Sequence, residues 1–216
     1  MIIEDPVEDE VHRLYGPSAG RTPADAAALM AGYPGRWWIA GGWAVEAQGG
    51  APRVHGDLDL SVPRADLALL RRHLAGRLDV WIADRGSLTP LLPDEDPDEP
   101  PERLLPDECE NLWTRASGAD PWEYDVILMD GDEDGWIFKR DSSIRLPWPE
   151  IIRTVDGLDY LRAELQLLHK AARRRPKDQY DFEAVLPALD PDARRWLHDV
   201  LARVHPGHLW LAELQG

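Results

Sequence analysis

Two neighbouring stretches decide the fold: Trp37-Trp38-Ile39-Ala40-Gly41-Gly42-Trp43-Ala44-Val45, and then Arg53-Val54-His55-Gly56-Asp57-Leu58-Asp59-Leu60-Ser61-Val62. The first opens with an apolar run of strand length and ends on two glycines, which reads as a buried strand entering a turn. Trp43 to Gln48 reads as one or two helical turns, broken by Gly49-Gly50-Ala51-Pro52. From Asp57 to Val62 polar and apolar residues alternate, as in a half-buried strand that Pro63 ends. At that period Asp57 and Asp59 share one face. Adjacent carboxylates repel each other unless a cation lies between them. Hard oxygen ligands of this kind suit Mg²⁺, which takes one or two carboxylates plus substrate phosphates. Gly41 and Gly42, lacking side chains, let backbone N–H groups approach a phosphate. Strand, Gly-Gly, short helix and Asp-x-Asp in a second strand together describe phosphoryl or nucleotidyl transfer. In that chemistry a metal bridges triphosphate oxygens and offsets charge developing in the transition state.

Outward from this centre, Thr22-Pro23-Ala24-Asp25 marks a helix start, with Thr22 as N-cap, and Tyr33-Pro34-Gly35 marks its stop. The acidic first twenty residues read as a loose arm or a short helix. Ala65 to Ala75 has helical spacing and Leu78 to Ala83 is a strand candidate. Trp122 to Met129 is the best strand after the first two, with Trp136 to Lys139 returning as its hairpin partner. Asp159 to Arg174, Lys177 to Leu189 and Pro191 to Val204 read as three helices. Strands therefore gather in the first two-thirds and helices in the last third. This is an α+β (α/β-like) pattern, divided as an α/β domain over 1–150 and a helical region over 151–216 packed on it. Residues 93–110, dense in Asp, Glu and Pro, read as a solvated loop between strands, or an acidic lid for a cationic substrate.

Composition narrows the partners. Among 216 residues, 24 Lys+Arg stand against 40 Asp+Glu, a formal charge of −16 that repels nucleic-acid backbones and anionic membranes and attracts polycations. No apolar run approaches the roughly 18 residues of a membrane span, and the N-terminus lacks the pattern of a secretory signal. The single cysteine, Cys109, excludes an internal disulfide framework. The expected compartment is the cytoplasm.

The segment Trp38 to Val62 resembles the nucleotidyltransferase superfamily, the DNA polymerase β-like fold. More narrowly, Gly41-Gly42-Trp43-Ala44-Val45 with Arg53, His55 and Asp57-Leu58-Asp59-Leu60 resembles aminoglycoside 2″-adenylyltransferases and lincosamide nucleotidyltransferases. Tyr160-Leu161, Glu164 to Ala171 and Arg175 to Phe182 resemble the helical half of aminoglycoside nucleotidyltransferase-like bacterial proteins. The similarity runs over most of the chain from about residue 36. It implies a small mixed sheet flanked by helices, with ATP or another NTP as co-substrate and Mg²⁺ on Asp57 and Asp59. It also implies a third carboxylate on a neighbouring strand, acting as general base on the acceptor hydroxyl. Glu123 and Asp125 are the candidates. Asp125 is favoured because it lies deeper in the apolar run, where an unpaired carboxylate is costly.

Other positions keep two readings. Arg53 and His55 either contact triphosphate or pair with the Asp cluster. Lys170, among apolar helix residues, either snorkels to solvent or reaches a phosphate in the cleft, as the resemblance favours. Lys177 is a candidate nucleotide contact, and Asp178 a first-turn acid matched to the helix dipole. Trp43 is placed to pack beside the nucleotide, whereas Trp37, Trp38, Trp122, Trp136, Trp196 and Trp210 read as core and hairpin packing. The leading functional reading is a Mg-dependent nucleotidyltransferase. It would move a nucleoside monophosphate from an NTP to a hydroxyl of a small, cationic acceptor such as an aminoglycoside. The alternatives are a non-catalytic nucleotide- or partner-binding protein of the same fold, and transfer to a protein hydroxyl. Convergence of Asp125 on Asp57 and Asp59 discriminates catalysis from binding alone.

Overall fold

Pro6 and Pro23 each open a helix, where a missing N–H costs nothing and the fixed φ is already helical. They begin α1 (Pro6–Tyr15) and α2 (Pro23–Met30). Asp5 caps α1 by accepting from the Val7 N–H, and Thr22 and Asp25 close a reciprocal box on α2. The computed structural model describes residues 1–92, 99–107, 109–173 and 175–215. β1 (Trp38–Ile39) leads into α3 (Gly41–Ala47), β2 (Asp59–Pro63) and α4 (Leu67–Leu74). Next come β3 (Asp79–Asp84), β4 (Ser87–Leu91), α5 (Pro101–Leu104), β5 (Asn111–Arg115) and β6 (Tyr124–Met129). They are followed by β7 (Gly135–Ile137), β8 (Arg145–Pro147), β9 (Ile152–Val155) and β10 (Leu158–Leu161). The chain closes with α6 (Ala163–Ala171), α7 (Pro176–Val185), α8 (Pro191–Val204) and α9 (Trp210–Leu214).

Among the described residues one mixed sheet has the order β4-β3-β5-β6-β2-β1-β10-β9, an α+β architecture. β2 pairs with β6, and β1 with β10, in parallel; the remaining pairs in this sheet are antiparallel. The period of two is visible on β6. Tyr124, Val126 and Leu128 are buried in the core, while Asp125 and Ile127 line a cleft. Leu60 and Val62 of β2, Ala44 and Val45 of α3, and Leu165, Leu167 and Leu168 of α6 share that core. Phe182 of α7 stacks on Trp210 of α9 with centroids 4.3 Å apart, both fully buried, so the last helix is sealed onto the helical half. No described helix is long and apolar enough to cross a membrane.

Several expectations need correction. The helix read from Asp159 begins at Ala163, and the residues before it form the β9–β10 hairpin. Its turn is Asp156-Gly157, both at positive φ, the backbone that two-residue hairpin turns demand. The sheet therefore continues past residue 150, and the helical region starts at Ala163, later than expected. Arg85-Gly86, likewise at positive φ, turns β3 into β4. That strand was not anticipated because Pro90 interrupts it; β4 lies at the sheet edge, where proline is tolerated. Residues Trp136 to Lys139 return only as far as the end of β6, through the Gly131–Trp136 bridge and the Ile137 N–H on the Asp130 carbonyl; β7 then pairs with β8 rather than with β6. The C-terminal tail carries α9 and holds His208 buried beside the Ala171 carbonyl. Of the acidic stretch 93–110, residues 93–98 and 108 lie outside the described residues, so the lid expectation falls largely on them. The described remainder is anchored, with Leu105 and Cys109 buried.

Gln48 closes the joint between the sheet and the helical half. Its Nε2 donates to the carbonyls of Ala44 and Leu161, and its Oε1 accepts from the Ala163 N–H at 3.0 Å. Gln48→Met keeps the volume but strips partners from the Leu161 carbonyl and the Ala163 N–H. We expect it to cost about 1–3 kcal/mol in denaturant unfolding. A loss below a few tenths would show that solvent replaces the clamp.

Candidate active site

Parallel pairing of β2 with β6 sets Asp59 directly opposite Asp125. Residues in register on adjacent strands point to the same side, separated by one strand spacing of about 4.8 Å. Asp57 lies two residues ahead of β2, in the loop that enters it, so it reaches the same place from outside the ladder. All three carboxylates line one cavity of about 250 Å³. Asn111, at the start of β5, donates to both oxygens of Asp125 at 2.8 and 2.9 Å, and so fixes its orientation. Burial, followed by the Asp57 charge, raises the proton affinity of Asp59; burial, followed by Asp59, raises that of Asp125.

The glycine pair has a packing reason as well as a chemical one. Gly41 opens α3 at φ +63°, and a Cβ there would run into the Asp59 carboxylate. A Cβ on Gly42 would run into the guanidinium of Arg53 and the ring of His55. The Gly41 N–H, expected to face a phosphate, donates to Oε1 of Gln166 on α6 at 2.7 Å. Sequence reasoning gave no role to Gln166 or Asn111, because a lone amide carries no spacing signal.

Cations also line the cavity. Lys170 of α6 donates to Asp178 and also lies 2.9 Å from Asp181, both on α7. Arg53 grips Asp181 through Nε and Nη2. Lys177 lies 2.6 Å from Glu8 of α1, and Arg175 lies 3.0 Å from Asp178. Lys170, Arg53, Lys177 and Arg175 all line the cavity, so of the two readings for Lys170 the cleft position is the one observed. Asp178 does more than complement a helix end. It is fully buried, holds Lys170 and Arg175, and stays below the usual carboxylate range because those two charges outweigh the cost of its burial. Arg175 joins the wall without having been singled out as a site residue.

His55 and Trp43 do not line this cavity. His55 bonds Glu46 at 2.7 Å and stacks on Trp43 at 4.2 Å between centroids, buttressing the loop that carries Arg53. Glu123 accepts from Arg21 and faces a second cavity, away from Asp59. Asp125 rather than Glu123 is thus the carboxylate in register with Asp59. His169 lines the carboxylate cavity with its Nε2 sealed and unpartnered among the described residues, its ring edge-on to Trp136 and Phe138. Burial holds its pKa down to about 4.

Gly41→Ala should displace the Asp59 carboxylate and lower the thermal midpoint, whereas Gly76→Ala, also at positive φ but with open space around it, should carry only the backbone cost of about 1 kcal/mol. Equal losses in the two variants would show that Asp59 yields freely. For His169, the folded pKa lies below the unfolded value near 6.5, so the unfolded chain takes up the proton first. Stability is therefore full above about pH 6.5 and is lost as pH falls towards 4, on the order of 3 kcal/mol for this group. His169→Gln should flatten that part of the stability–pH curve; an unchanged slope would assign it to other groups.

No curated protein is significantly similar to the chain. Residues 25–79 match the aminoglycoside-2''-adenylyltransferase family, a span that runs from the first turn of α2 to the first residue of β3. It contains Gly41, Gly42, Asp57 and Asp59 and leaves Asp125, Lys170 and Lys177 outside. The match covers part of the chain only, and it supports nucleotidyl transfer as the general chemistry of this site.

Proposed function

We propose that the protein is a Mg²⁺-dependent nucleotidyltransferase that moves a nucleoside monophosphate from an NTP, ATP in the first instance, to a hydroxyl of a small molecule. The observation that carries this reading is the register of β2 on β6, which brings Asp59 and Asp125 to one cavity with Asp57, where cations also line the wall. Convergence of the three carboxylates favours catalysis over a binding-only role.

Among the described residues no group of three or more His, Cys, Asp and Glu side chains is placed to hold a metal by itself. The donor set fits a cation shared with substrate. Asp57 and Asp59 provide hard oxygens whose mutual repulsion a divalent ion would relieve, and triphosphate oxygens would complete the shell. Bound there, magnesium would supply charge neutralisation to the phosphates. The chain's own residues do the rest. Lys170, Arg175 and Lys177 orient the triphosphate. Asp125, oriented by Asn111, takes the proton of the attacking hydroxyl. An aminoglycoside, the acceptor in the matched family's name, is one candidate acceptor.

Asp57→Asn and Asp59→Asn should each abolish Mg²⁺-dependent pyrophosphate release while leaving the melting curve at or above that of the parent, since each removes a repelling charge at constant volume. Asp125→Asn should lower kcat with little change in nucleotide affinity. Mg²⁺ with ATP at a hundredfold excess over Kd should stabilise the parent by about 2.7 kcal/mol. Full turnover in either the Asp57→Asn or the Asp59→Asn variant, or no stabilisation by any NTP with Mg²⁺ or Mn²⁺, would refute the assignment.

A further inference from the structure

A second cavity, of about 190 Å³, adjoins the first and shares Asp57, Asp125, Arg173, Arg175 and Lys177 with it. Asp59, Gly41, Gly42 and Lys170 line only the first. The glycine pair, Asp59 and Lys170 thus lie on one side of Asp57 and Asp125, and a second chamber, which shares Arg175 and Lys177, opens on the other. Its roof is α1, through Val7 and Val11, one helical turn apart. Its apolar wall is Trp113 of β5 and Trp122 beside β6.

This chamber is built rather than incidental. Trp122 exchanges backbone hydrogen bonds with Pro17 and Ala19, and its Nε1 donates to the Tyr15 carbonyl at 2.8 Å. Arg115 covers its ring at 4.2 Å, and Trp113 meets it edge-on at 5.3 Å. At its other end α1 is held by Glu8 on Lys177 and by the Val54 N–H on the Met1 carbonyl. The acids Glu8, Asp57, Glu123 and Asp125 line the chamber against the cations Arg173, Arg175 and Lys177. Glu8 holds Lys177, Glu123 holds Arg21 from outside the lining, and Asp125 accepts from the Asn111 amide, so the lining is close to charge balance. Whole-molecule charge is screened over about 8 Å at physiological ionic strength, so these local groups decide what is bound.

We propose that this chamber is the acceptor site of the transfer described above, and that it takes a hydroxylated molecule with an apolar ring face and little or no positive charge. The ring lies against Trp113 and Trp122 under Val7 and Val11, and the hydroxyl points to Asp125. The hydroxyl oxygen forms a bond to the α-phosphorus as the bond to pyrophosphate breaks. Its proton passes to Asp125, and pyrophosphate leaves with the bonding electrons. The inference rests on the nucleotidyltransferase reading, and its test separates the two.

Phenyl β-D-glucopyranoside, a neutral hydroxylated ring with an aromatic face, and a panel of aminoglycosides would each be titrated calorimetrically to about 10 mM, alongside MgATP. The proteins are the parent, Val11→Trp, which fills the chamber, and Val7→Arg at an exposed rim position that tolerates substitution. We expect the neutral glycoside to bind the parent, both variants to weaken it about tenfold or more, and MgATP affinity to stay within about twofold. Loss of MgATP affinity in the variants would place the nucleotide in this chamber and overturn the inference while leaving the transferase reading intact. Preference for aminoglycosides, or no glycoside binding that depends on Val7 and Val11, would also overturn it. Glycoside binding that depends on these residues in a protein that binds no MgNTP would uphold the chamber's ligand class and sink the transferase reading instead.

Discussion

Lys170 is a buried ammonium, and its position governs the helical half of the molecule. Its side chain is 6% exposed and touches Asp178 and Asp181, exposed by 0% and 4%. An isolated charge at such a depth costs several kcal/mol, so each ion requires its partners to be in place. Arg175 shares Asp178 and Arg53 shares Asp181, which draws α6, α7 and the loop ahead of β2 into one network. The network need not add net stability over an apolar core. It fixes geometry, because no member can move without stranding another charge. The cations facing the cavity therefore arrive already positioned, at the expense of having much of their charge neutralised.

The carboxylate side is built on the opposite principle. Asp57, Asp59 and Asp125 are acids crowded into one place; the register of β2 on β6 brings Asp59 and Asp125 together, and the loop entering β2 adds Asp57. In the sheet β5 fills the position on the far side of β6, and β1, backed by β10, flanks β2. Gly41 completes the arrangement, since only a residue without Cβ leaves room for Asp59 above the start of α3. One cavity thus joins a trio of acids to a preassembled set of cations, an arrangement that suits a substrate carrying phosphate with a divalent ion.

Local signals made the centre of the fold legible. Trp38-Ile39 before Gly-Gly, the alternation from Asp57 to Val62 and the apolar run ending at Met129 each announced a strand through periodicity. Thr22-Pro23 announced a helix start through capping chemistry. The misses share a cause. β4, β9 and β10 are short and lie at or near the edges of the sheet, where pairing with a neighbour, rather than their own pattern, makes them strands. Asp156-Gly157 was a hairpin signal that helical spacing beyond it obscured. Phe182 and Trp210 seal the tail around His208 from 28 positions apart in sequence.

By itself, the sequence determined that Asp57 and Asp59 lie side by side at a strand entrance, that Gly41 and Gly42 allow a close approach, and that the fold is α+β. These are properties of neighbours a few residues apart, and covalent spacing enforces them. Tertiary structure alone decided which carboxylate faces Asp59, because that depends on strand register between segments more than sixty residues apart. It also decided that Gln166 takes the Gly41 amide, that Lys170 turns into the cavity, and that α1 roofs a second chamber. Contacts of this kind leave no periodic trace, since each partner's residue type is satisfied by many environments and only the folded path of the chain selects one.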